Sequence, residues 1–312
     1  MEESFMAYLK QGYSCSEIKD MLSLTLTDSV EILNKLNYKI KDNLYYKSFY
    51  SDGTFDQNNI ASKEEKIAII TSPDEDTFHF VAISDTHIGS WDDSLSYLDL
   101  VYDYCKKNNI NYIFHAGDLI DGTHGNIDKR KYLNDQIEEV ITKYPYDELI
   151  TNFITLGNHD FDSILLDKPI DAALIENRSD LIPLGYGMNE VHLKNDFFVV
   201  SHFIPLEKSI TLYSRTMILK GHSHHFKIKD DRDNYNIYVP TLSNLVIPDD
   251  FVPGFLDITI NFRKGYVYDV MIKSLGIINN KILSLSMNQL YLDQKIPKED
   301  PGYNVKEYIK RR

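Results

Sequence analysis

Five short apolar runs in this chain each end directly in a group of histidine, aspartate or asparagine residues, and this pattern constrains the fold more than any other feature. The runs span residues 78–84, 112–116, 153–156, 197–201 and 217–220. The groups that follow them are Asp85 with His87, Asp118 with Asp121, Asn158 with His159 and Asp160, the single His202, and His222 with His224. Apolar runs of this length are typical of buried strands. The sequence therefore predicts strands whose carboxyl ends carry polar side chains.

Amphipathic helices are predicted between the first three strands. One helical face, between the first two strands, consists of Leu95, Leu98, Val101, Tyr102 and Cys105. A second face, before the third strand, consists of Leu133, Ile137, Val140 and Ile141. Strands that alternate with helices indicate an α/β fold. Loops at the carboxyl ends of neighbouring strands meet at one crevice in such folds, so we expect the polar groups to converge.

The polar groups have the chemistry of a metal site. Imidazole and carboxylate side chains are ligands for zinc, manganese, iron or nickel ions. Asp85 and His87 are separated by one residue, as are His222 and His224, so each pair can reach a shared centre. Glycines precede three of the groups, where the backbone must approach an ion or a phosphate closely. A buried aspartate at a strand end is costly, and coordination to a cation removes that cost.

In chain order the groups read D-x-H, G-D-x-x-D, G-N-H-D, H and G-H-x-H, and they resemble the motif set of the calcineurin-like metallophosphoesterases across residues 78–275. The resemblance implies an α/β fold built as a four-layer β-sandwich flanked by helices. It implies that one metal ion is held by Asp85, His87, Asp118 and His224, and a second by Asp118, Asn158, His202 and His222. It also implies that Asp118 bridges the ions, that His159 is the general acid and that Asp121 orients it.

Two divalent transition-metal ions are therefore the expected cofactors, manganese first, with iron, zinc and nickel as alternatives. Such a pair converts a bridging water to hydroxide that attacks phosphorus directly, and it offsets the charge of the transition state. The imidazolium of His159 then gives a proton to the leaving alkoxide. The sequence contains no G-x-S-x-G motif or Walker-type loop that would indicate another mechanism.

The substrate class is predicted less sharply than the metal site. The motif wording is similar to that of SbcD-type DNA exonucleases and of the exonuclease subunit of archaeal D-family polymerase. Ser/Thr phosphatases of the superfamily carry arginine where this chain has Gly122, and glutamate where it has Asp160. A phosphate ester is therefore the expected substrate, with a phosphodiesterase favoured and a DNA nuclease as one form of it. His124 and Arg130 are candidate substrate contacts.

Other functions stay open at this point. A small-molecule phosphomonoesterase and a nucleotide phosphodiesterase are the enzyme alternatives. A DNA- or protein-binding regulator with an incidental esterase site is an alternative of a different class. Among the remaining polar residues, His115 is expected to pack beneath the site, and Asp160 fits a structural role as well as a catalytic one.

Residues 1–50 are predicted to form a separate domain. Three amphipathic helices followed by alternating residues about a turn at Asp42 and Asn43 resemble a winged helix-turn-helix. Residues 51–65 are predicted as a linker, residues 66–275 as the metallophosphoesterase domain and residues 276–312 as a C-terminal extension. Because the first 60 residues carry more acidic than basic side chains, DNA binding and protein docking both stay open for this domain.

Composition limits the partners. The formal net charge of −14 argues against a broad basic face for nucleic acid, although two bound cations would place positive charge where a phosphate sits. No apolar stretch approaches the roughly 20 residues of a membrane span. The two cysteines, Cys15 and Cys105, lie far apart, and the N-terminus lacks the pattern of a secretory signal. A cytoplasmic protein is therefore expected, without membrane contact and with protein partners unknown.

Overall fold

A computed structural model describes residues 4, 21–23, 39–41, 44–46, 67–69, 76–90, 95–123, 132–166, 169–194, 196–202, 216–231, 234–243 and 252–292. The strands in these residues are β1 (Lys39–Lys41), β2 (Leu44–Tyr46), β3 (Ile67–Ile69), β4 (Thr77–Ile83), β5 (Tyr112–Ala116), β6 (Thr151–Leu156), β7 (Leu181–Tyr186), β8 (Met188–Leu193), β9 (Asp196–Ser201), β10 (Thr216–Lys220), β11 (Lys227–Asp230), β12 (Asn234–Tyr238), β13 (Gly254–Arg263), β14 (Tyr266–Ile278) and β15 (Lys281–Tyr291). The helices are α1 (Leu95–Lys107), α2 (Leu133–Lys143), α3 (Asn158–Phe161), a 3-10 helix (Asp162–Leu165) and α4 (Ile170–Asn177).

Two large mixed sheets contain most of these strands. The seven-stranded sheet has the order β15-β14-β13-β4-β5-β6-β7, and the six-stranded sheet has the order β11-β12-β10-β9-β8-β3. Strands β4 to β7 are parallel to one another, and so are β9, β10 and β12. All five predicted apolar runs are strands, which confirms that prediction. They are divided between the sheets, however, since β4, β5 and β6 lie in one and β9 and β10 in the other.

Helix α1 covers one face of the seven-stranded sheet. Its buried residues are Leu98, Val101, Tyr102 and Cys105, as their spacing predicted. The helix ends in a Schellman-type turn, in which the N–H of Ile110 donates to the carbonyl oxygen of Cys105 at 2.9 Å. Asn109 takes the left-handed position of this turn with φ 55°, a conformation that asparagine tolerates better than most residues. Local sequence therefore fixes both the buried face and the end of α1.

Helix α2 ends against the side chain of Arg178. The guanidinium donates to the carbonyl oxygens of Ile141 at 3.1 Å, Tyr144 at 3.0 Å and Pro145 at 3.0 Å. It also forms a bidentate pair with Asp180, at 2.9 and 2.7 Å. The last carbonyl groups of a helix have no partner within the helix, and Arg178 supplies one. Its contacts give this arginine a structural role.

An aromatic cluster joins the two sheets. Phe80 of β4, Phe114 of β5 and Phe198 of β9 are at most 1% exposed. Their ring centroids lie 5.0 to 5.4 Å apart, with Phe80 stacked on Phe198 and Phe114 edge-on to both. Burying one such ring contributes about 1.5–3 kcal/mol, and Phe80→Ala should cost about 3–5 kcal/mol because a cavity remains. This packing holds the sheets face to face and lets loops from both contribute to one site.

The α/β prediction is confirmed. The described residues form three of the four expected layers: helices α1, α2 and α4, the seven-stranded sheet, and the six-stranded sheet. The fourth layer stays a prediction. Strand β14 continues past residue 275, and β15 pairs with it as far as Tyr291. Strands β1 and β2 pair antiparallel with Lys41 opposite Leu44, as the alternating pattern predicted. The rest of the predicted winged module, the linker 51–65 and the tail 293–312 lie almost wholly outside the described residues. No helix of the described part is long and apolar enough to cross a membrane.

Candidate metal centre

The predicted metal ligands come from five loops at the carboxyl ends of strands in both sheets. Among the described residues, three groups of side chains have their ligand atoms within 4.8 Å of one another. The groups are Asp85 with His87 and His224, His87 with Asp118 and His159, and Asp118 with His202 and His222. Since His87 and Asp118 each belong to two groups, the three groups form one continuous cluster. The structure thus brings together every predicted histidine and aspartate ligand.

Five of these residues have a left-handed backbone. The φ angle is 53° at Asp85, 47° at His87, 54° at Asp118, 67° at His222 and 61° at His224. This region costs a residue with a side chain about 1–3 kcal/mol and persists only where surrounding contacts enforce it. Such contacts are present, since the N–H of Asp85 donates to the main-chain carbonyl of Gly117 at 2.9 Å and the N–H of His87 donates to the main-chain carbonyl of Asp118 at 3.1 Å. Strained backbone therefore marks the ends of the strands that carry the cluster.

Asp118 lies at the centre of the cluster. One carboxylate oxygen accepts the N–H of His159 at 2.9 Å, and the other lies 2.8 Å from Nε2 of His202. The other ring nitrogen of His202 lies 2.7 Å from the carbonyl oxygen of Ala116 and donates a proton to it, while Nε2 faces Asp118. Burial alone would raise the pKa of Asp118, but the imidazoles of His202 and His159 outweigh burial and hold it below its ordinary value. Burial would lower the pKa of His202, but Asp118 raises it to about 9.

Asp85 lies beside His222 and His224 and is fully buried. Nε2 of His224 is 3.3 Å from its carboxylate, and the N–H of His222 donates to both carboxylate oxygens at 3.1 and 3.2 Å. Burial would raise the pKa of Asp85, but the hydrogen bond with His224 outweighs burial and lowers it. The main-chain carbonyl of Asp85 accepts the Thr241 hydroxyl at 2.9 Å and the N–H of Ser243 at 3.2 Å. The sequence carries no motif that would have identified these last two residues.

Asn158 supplies the neutral oxygen of the predicted ligand set. Its Oδ1 atom is buried and has no hydrogen-bond partner in the described part of the chain. A buried oxygen without a partner costs about 1–3 kcal/mol, and a bound cation would remove that cost. Gly157 allows the close approach, since an added Cβ would lie 2.2 Å from a carboxylate oxygen of Asp118. Imidazole nitrogens, carboxylates and this amide oxygen together fit a divalent transition metal.

His159 faces the cluster with one ring nitrogen and the main chain with the other. Its Nε2 is 3.8 Å from a carboxylate oxygen of Asp118, and its Nδ1 is 2.7 Å from the carbonyl oxygen of Asp121. A carbonyl oxygen only accepts hydrogen bonds, so Nδ1 carries the proton and Nε2 points into the site. The Asp121 carboxylate lies 4.0 Å from Nδ1 of His87. The resemblance implies that Asp121 orients His159, and the contact at 2.7 Å is made by its main chain.

His115 packs beneath the centre, as predicted, and is fully buried. Its Nδ1 accepts the N–H of Gly117 at 3.2 Å, and its Nε2 lies 3.0 Å from the Thr86 hydroxyl. That hydroxyl donates to the carbonyl oxygen of Leu119 at 2.8 Å. Burial lowers the pKa of His115 to about 3, so the ring is neutral. The contacts hold the turn from Gly117 to Leu119 that carries Asp118.

Asp160 connects the loops that follow β5 and β6. Its buried carboxylate accepts the N–H groups of Gly157 at 2.7 Å, Ile120 at 2.9 Å and Leu119 at 3.1 Å. Burial and the nearby charge of Asp118 raise the pKa of Asp160 to about 6, while the three amide groups oppose this shift. The sequence left a structural and a catalytic role open for Asp160, and these contacts favour the structural role. His124 and Arg130 lie outside the described residues, so their contact with substrate stays a prediction.

Several proteins of known structure are similar to this chain. Similar solved structures include the phosphoesterase Yfce from E. coli, at 14% identity and a TM-score of 0.42, with 69% of this chain and 100% of that chain covered. Vps29 from Entamoeba histolytica in complex with Zn²⁺ has 12% identity, a TM-score of 0.39 and coverage of 69% and 99%. GAP50 of Plasmodium has 10% identity, a TM-score of 0.39 and coverage of 70% and 89%. Comparison with curated protein sequences finds no significant match.

A family model described as calcineurin-like phosphoesterase matches residues 78–254. This range is more than half of the chain and contains every residue of the cluster, from Asp85 to His224. We conclude that the chain belongs to the calcineurin-like phosphoesterase family.

Proposed function

We propose that this protein is a phosphodiesterase that depends on two divalent metal ions, with manganese as the first expectation. Its family is one of metal-dependent hydrolases that act on phosphate esters. One observation carries the proposal: Asp118 shares one ligand group with His87 and another with His202. A carboxylate between two sets of ligands is what a pair of ions about 3.5–4 Å apart requires.

The proposed ligand sets divide the cluster in two. The first ion is assigned to Asp85, His87, Asp118 and His224, and the second to Asp118, Asn158, His202 and His222. When bound, two such ions stabilise charge on phosphate oxygens and lower the pKa of a water molecule that attacks phosphorus. Burial lowers the pKa of His87 to about 4, so this imidazole is neutral at neutral pH and ready to bind a metal. His202, whose pKa Asp118 raises to about 9, would release a proton when a metal binds.

His159 is proposed as the general acid. Its Nδ1 proton is occupied with the carbonyl oxygen of Asp121, so Nε2 is the nitrogen that can hold a transferable proton. Nε2 also lies 3.8 Å from a carboxylate oxygen of Asp118, beside the proposed metal ions. A proton from this atom to the leaving alkoxide would accelerate cleavage about 10²–10⁴-fold.

The backbone at Gly122 supports a diester over a monoester. The superfamily's Ser/Thr phosphatases carry an arginine at this position, and a monoester dianion has one more negative charge to neutralise than a diester. In this chain Gly122 has φ 66°, and an added Cβ would lie 2.7 Å from the carbonyl oxygen of His159. An arginine does not fit this backbone. DNA delivered by residues 1–50 is the finer proposal within the diester class, and it rests on the resemblance alone.

The proposal is tested by measuring turnover of bis(p-nitrophenyl) phosphate, p-nitrophenyl phosphate and single-stranded DNA at saturating manganese. We expect the diester to be cleaved faster than the monoester and His87→Asn to abolish both activities. His225→Asn is the matched control, because His225 is exposed, lies next to His224 and bonds Ser223 at 2.6 Å outside the cluster. Faster monoester cleavage would support a phosphomonoesterase. Absence of any turnover would support the alternative of a DNA- or protein-binding regulator.

A further inference from the structure

The peptide group between Asp121 and Gly122 is held from both sides. Its carbonyl oxygen accepts Nδ1–H of His159 at 2.7 Å, and its N–H donates to Oε1 of Gln136 at 2.9 Å. A trans peptide is planar, with its C=O and N–H pointing in opposite directions. The bond to Gln136 therefore fixes the direction in which the carbonyl meets His159.

The next peptide group is held in the same way. The carbonyl oxygen of Gly122 accepts Nε2–H of Gln136 at 3.1 Å, and the N–H of Thr123 donates to the Asp162 carboxylate at 2.8 Å. Gln136 thus forms a two-point contact with the main chain of Gly122, and its side chain is only 5% exposed. Helix α2 supplies this glutamine, so the loop is fixed by a rigid element.

One carboxylate oxygen of Asp121 lies 4.0 Å from Nδ1 of His87. The contact to His159 is made by the main-chain carbonyl of Asp121, at 2.7 Å, a distance within the normal range for a hydrogen bond. A neutral carbonyl also selects the tautomer, since it accepts only from a protonated Nδ1.

We propose that Gln136 is a positioning residue, which orients His159 for proton transfer by locking the Asp121–Gly122 peptide. The inference rests on the proposed function, in which His159 is the general acid. It differs from the expectation that the Asp121 carboxylate orients this ring. Gln136 itself contacts neither the ligand cluster nor a substrate through these hydrogen bonds, so its effect on the reaction passes through His159.

The test compares a methyl p-nitrophenyl diester with a dialkyl diester, whose alkoxide leaves only with a proton. Gln136→Met keeps the side-chain volume and removes both bonds to Gly122. We expect the rate on the dialkyl substrate to fall about 10-fold or more and the rate on the nitrophenyl substrate to fall less than about 3-fold. The loss on the dialkyl substrate is smaller than the about 10²–10⁴-fold that a general acid contributes, because His159 itself is still present. Metal content should stay at the wild-type level. Gln136→Glu keeps an acceptor for the N–H of Gly122 and should recover part of the loss.

Three further variants make the result decisive. His159→Asn sets the full size of the leaving-group effect. Asp121→Asn keeps the carbonyl, so the ratio of the two rates should match wild type whatever its effect on both rates together. Val140→Ala removes a fully buried side chain from the same helix and should leave the ratio unchanged while lowering stability. If Gln136→Met does not fold, Gln136→Asn, which is too short to reach Gly122, replaces it.

Equal loss on both substrates in the Gln136 variants, or a selective loss in Asp121→Asn, would overturn the inference. If His159→Asn itself shows no selective loss on the dialkyl substrate, the general-acid assignment fails. The His159 variant therefore separates failure of the proposed function from failure of the inference on Gln136.

Discussion

Replacing Asp160 with asparagine should separate the two loops that carry the central ligands. The carboxylate of Asp160 binds the N–H groups of Leu119 and Ile120 in one loop and of Gly157 in the other. Hydrogen bonds to a charged acceptor contribute about 1.5–3 kcal/mol each. Asparagine keeps one acceptor oxygen but turns an NH₂ group toward at least one donor. Burial and the charge of Asp118 oppose part of this gain, so we expect the free energy of unfolding to fall by about 2–3 kcal/mol, less than three such hydrogen bonds would contribute.

The loss should extend to metal binding, because Asp118 and Asn158 lie directly beside the connected amides. Contacts that orient metal ligands typically contribute about 10–100-fold in metal affinity. Manganese affinity measured by calorimetry should fall by this factor in Asp160→Asn. Urea unfolding of the metal-free variant gives the stability change separately.

Asp196 offers a matched control. Its buried carboxylate also accepts main-chain amides, those of Phe197 at 2.9 Å and Val267 at 3.1 Å, but its bonds link β9 to β14 away from the cluster. Asp196→Asn should lose comparable stability and keep wild-type manganese affinity. Equal affinities in the two variants would refute a role for Asp160 in ligand spacing and leave it only a role in stability.

Three further predictions concern regions away from the ligands. Arg178→Leu should lower the free energy of unfolding by about 3–5 kcal/mol in urea titration, because a buried ion pair is broken; a loss below about 1 kcal/mol would contradict its role at the end of α2. Burial alone would raise the pKa of Asp257, but hydrogen bonds from His79 and Tyr104 outweigh burial and lower it. The deficit of Asp257→Asn should therefore be fully present at pH 7 and shrink as pH falls below about 4; a deficit constant with pH would contradict this. Deletion of residues 1–60 should leave metal content and small-diester turnover intact, because every predicted ligand lies after residue 60. Elemental analysis would measure the metal content and an activity assay the turnover, and loss of either would contradict a separate N-terminal domain.

The sequence predicted those parts of the fold that local signals determine. The strands β4, β5, β6, β9 and β10 were recognisable because each is a short apolar run that ends at a polar group. The division of these strands between two sheets was not predictable, since apolar runs do not specify their pairing partners. Contacts between residues far apart in the chain, such as the packing of Phe80 against Phe198, stabilise that arrangement.

The ligand groups were likewise visible, whereas the contacts that support them were not. Five of the ligand residues, including Asp85 and Asp118, have a left-handed backbone, which aspartate and histidine adopt more often than most residues but still at a cost. Tertiary hydrogen bonds enforce these positions, and the weak local preference of aspartate and histidine does not identify which of them adopt it. Gln136 is a second case, because a polar residue on an amphipathic helix usually faces solvent and here reaches a main-chain loop 14 residues earlier.

The central claim is that two metal ions bind one cluster centred on Asp118. Elemental analysis of protein reconstituted with manganese and passed through a desalting column measures it most directly, with diester turnover followed on the same samples. We predict a plateau near two ions per chain, activity that appears as the second ion binds, and loss of both metal and activity in Asp118→Asn. A plateau at one ion with full activity, or turnover that persists in the metal-free protein, would contradict the claim.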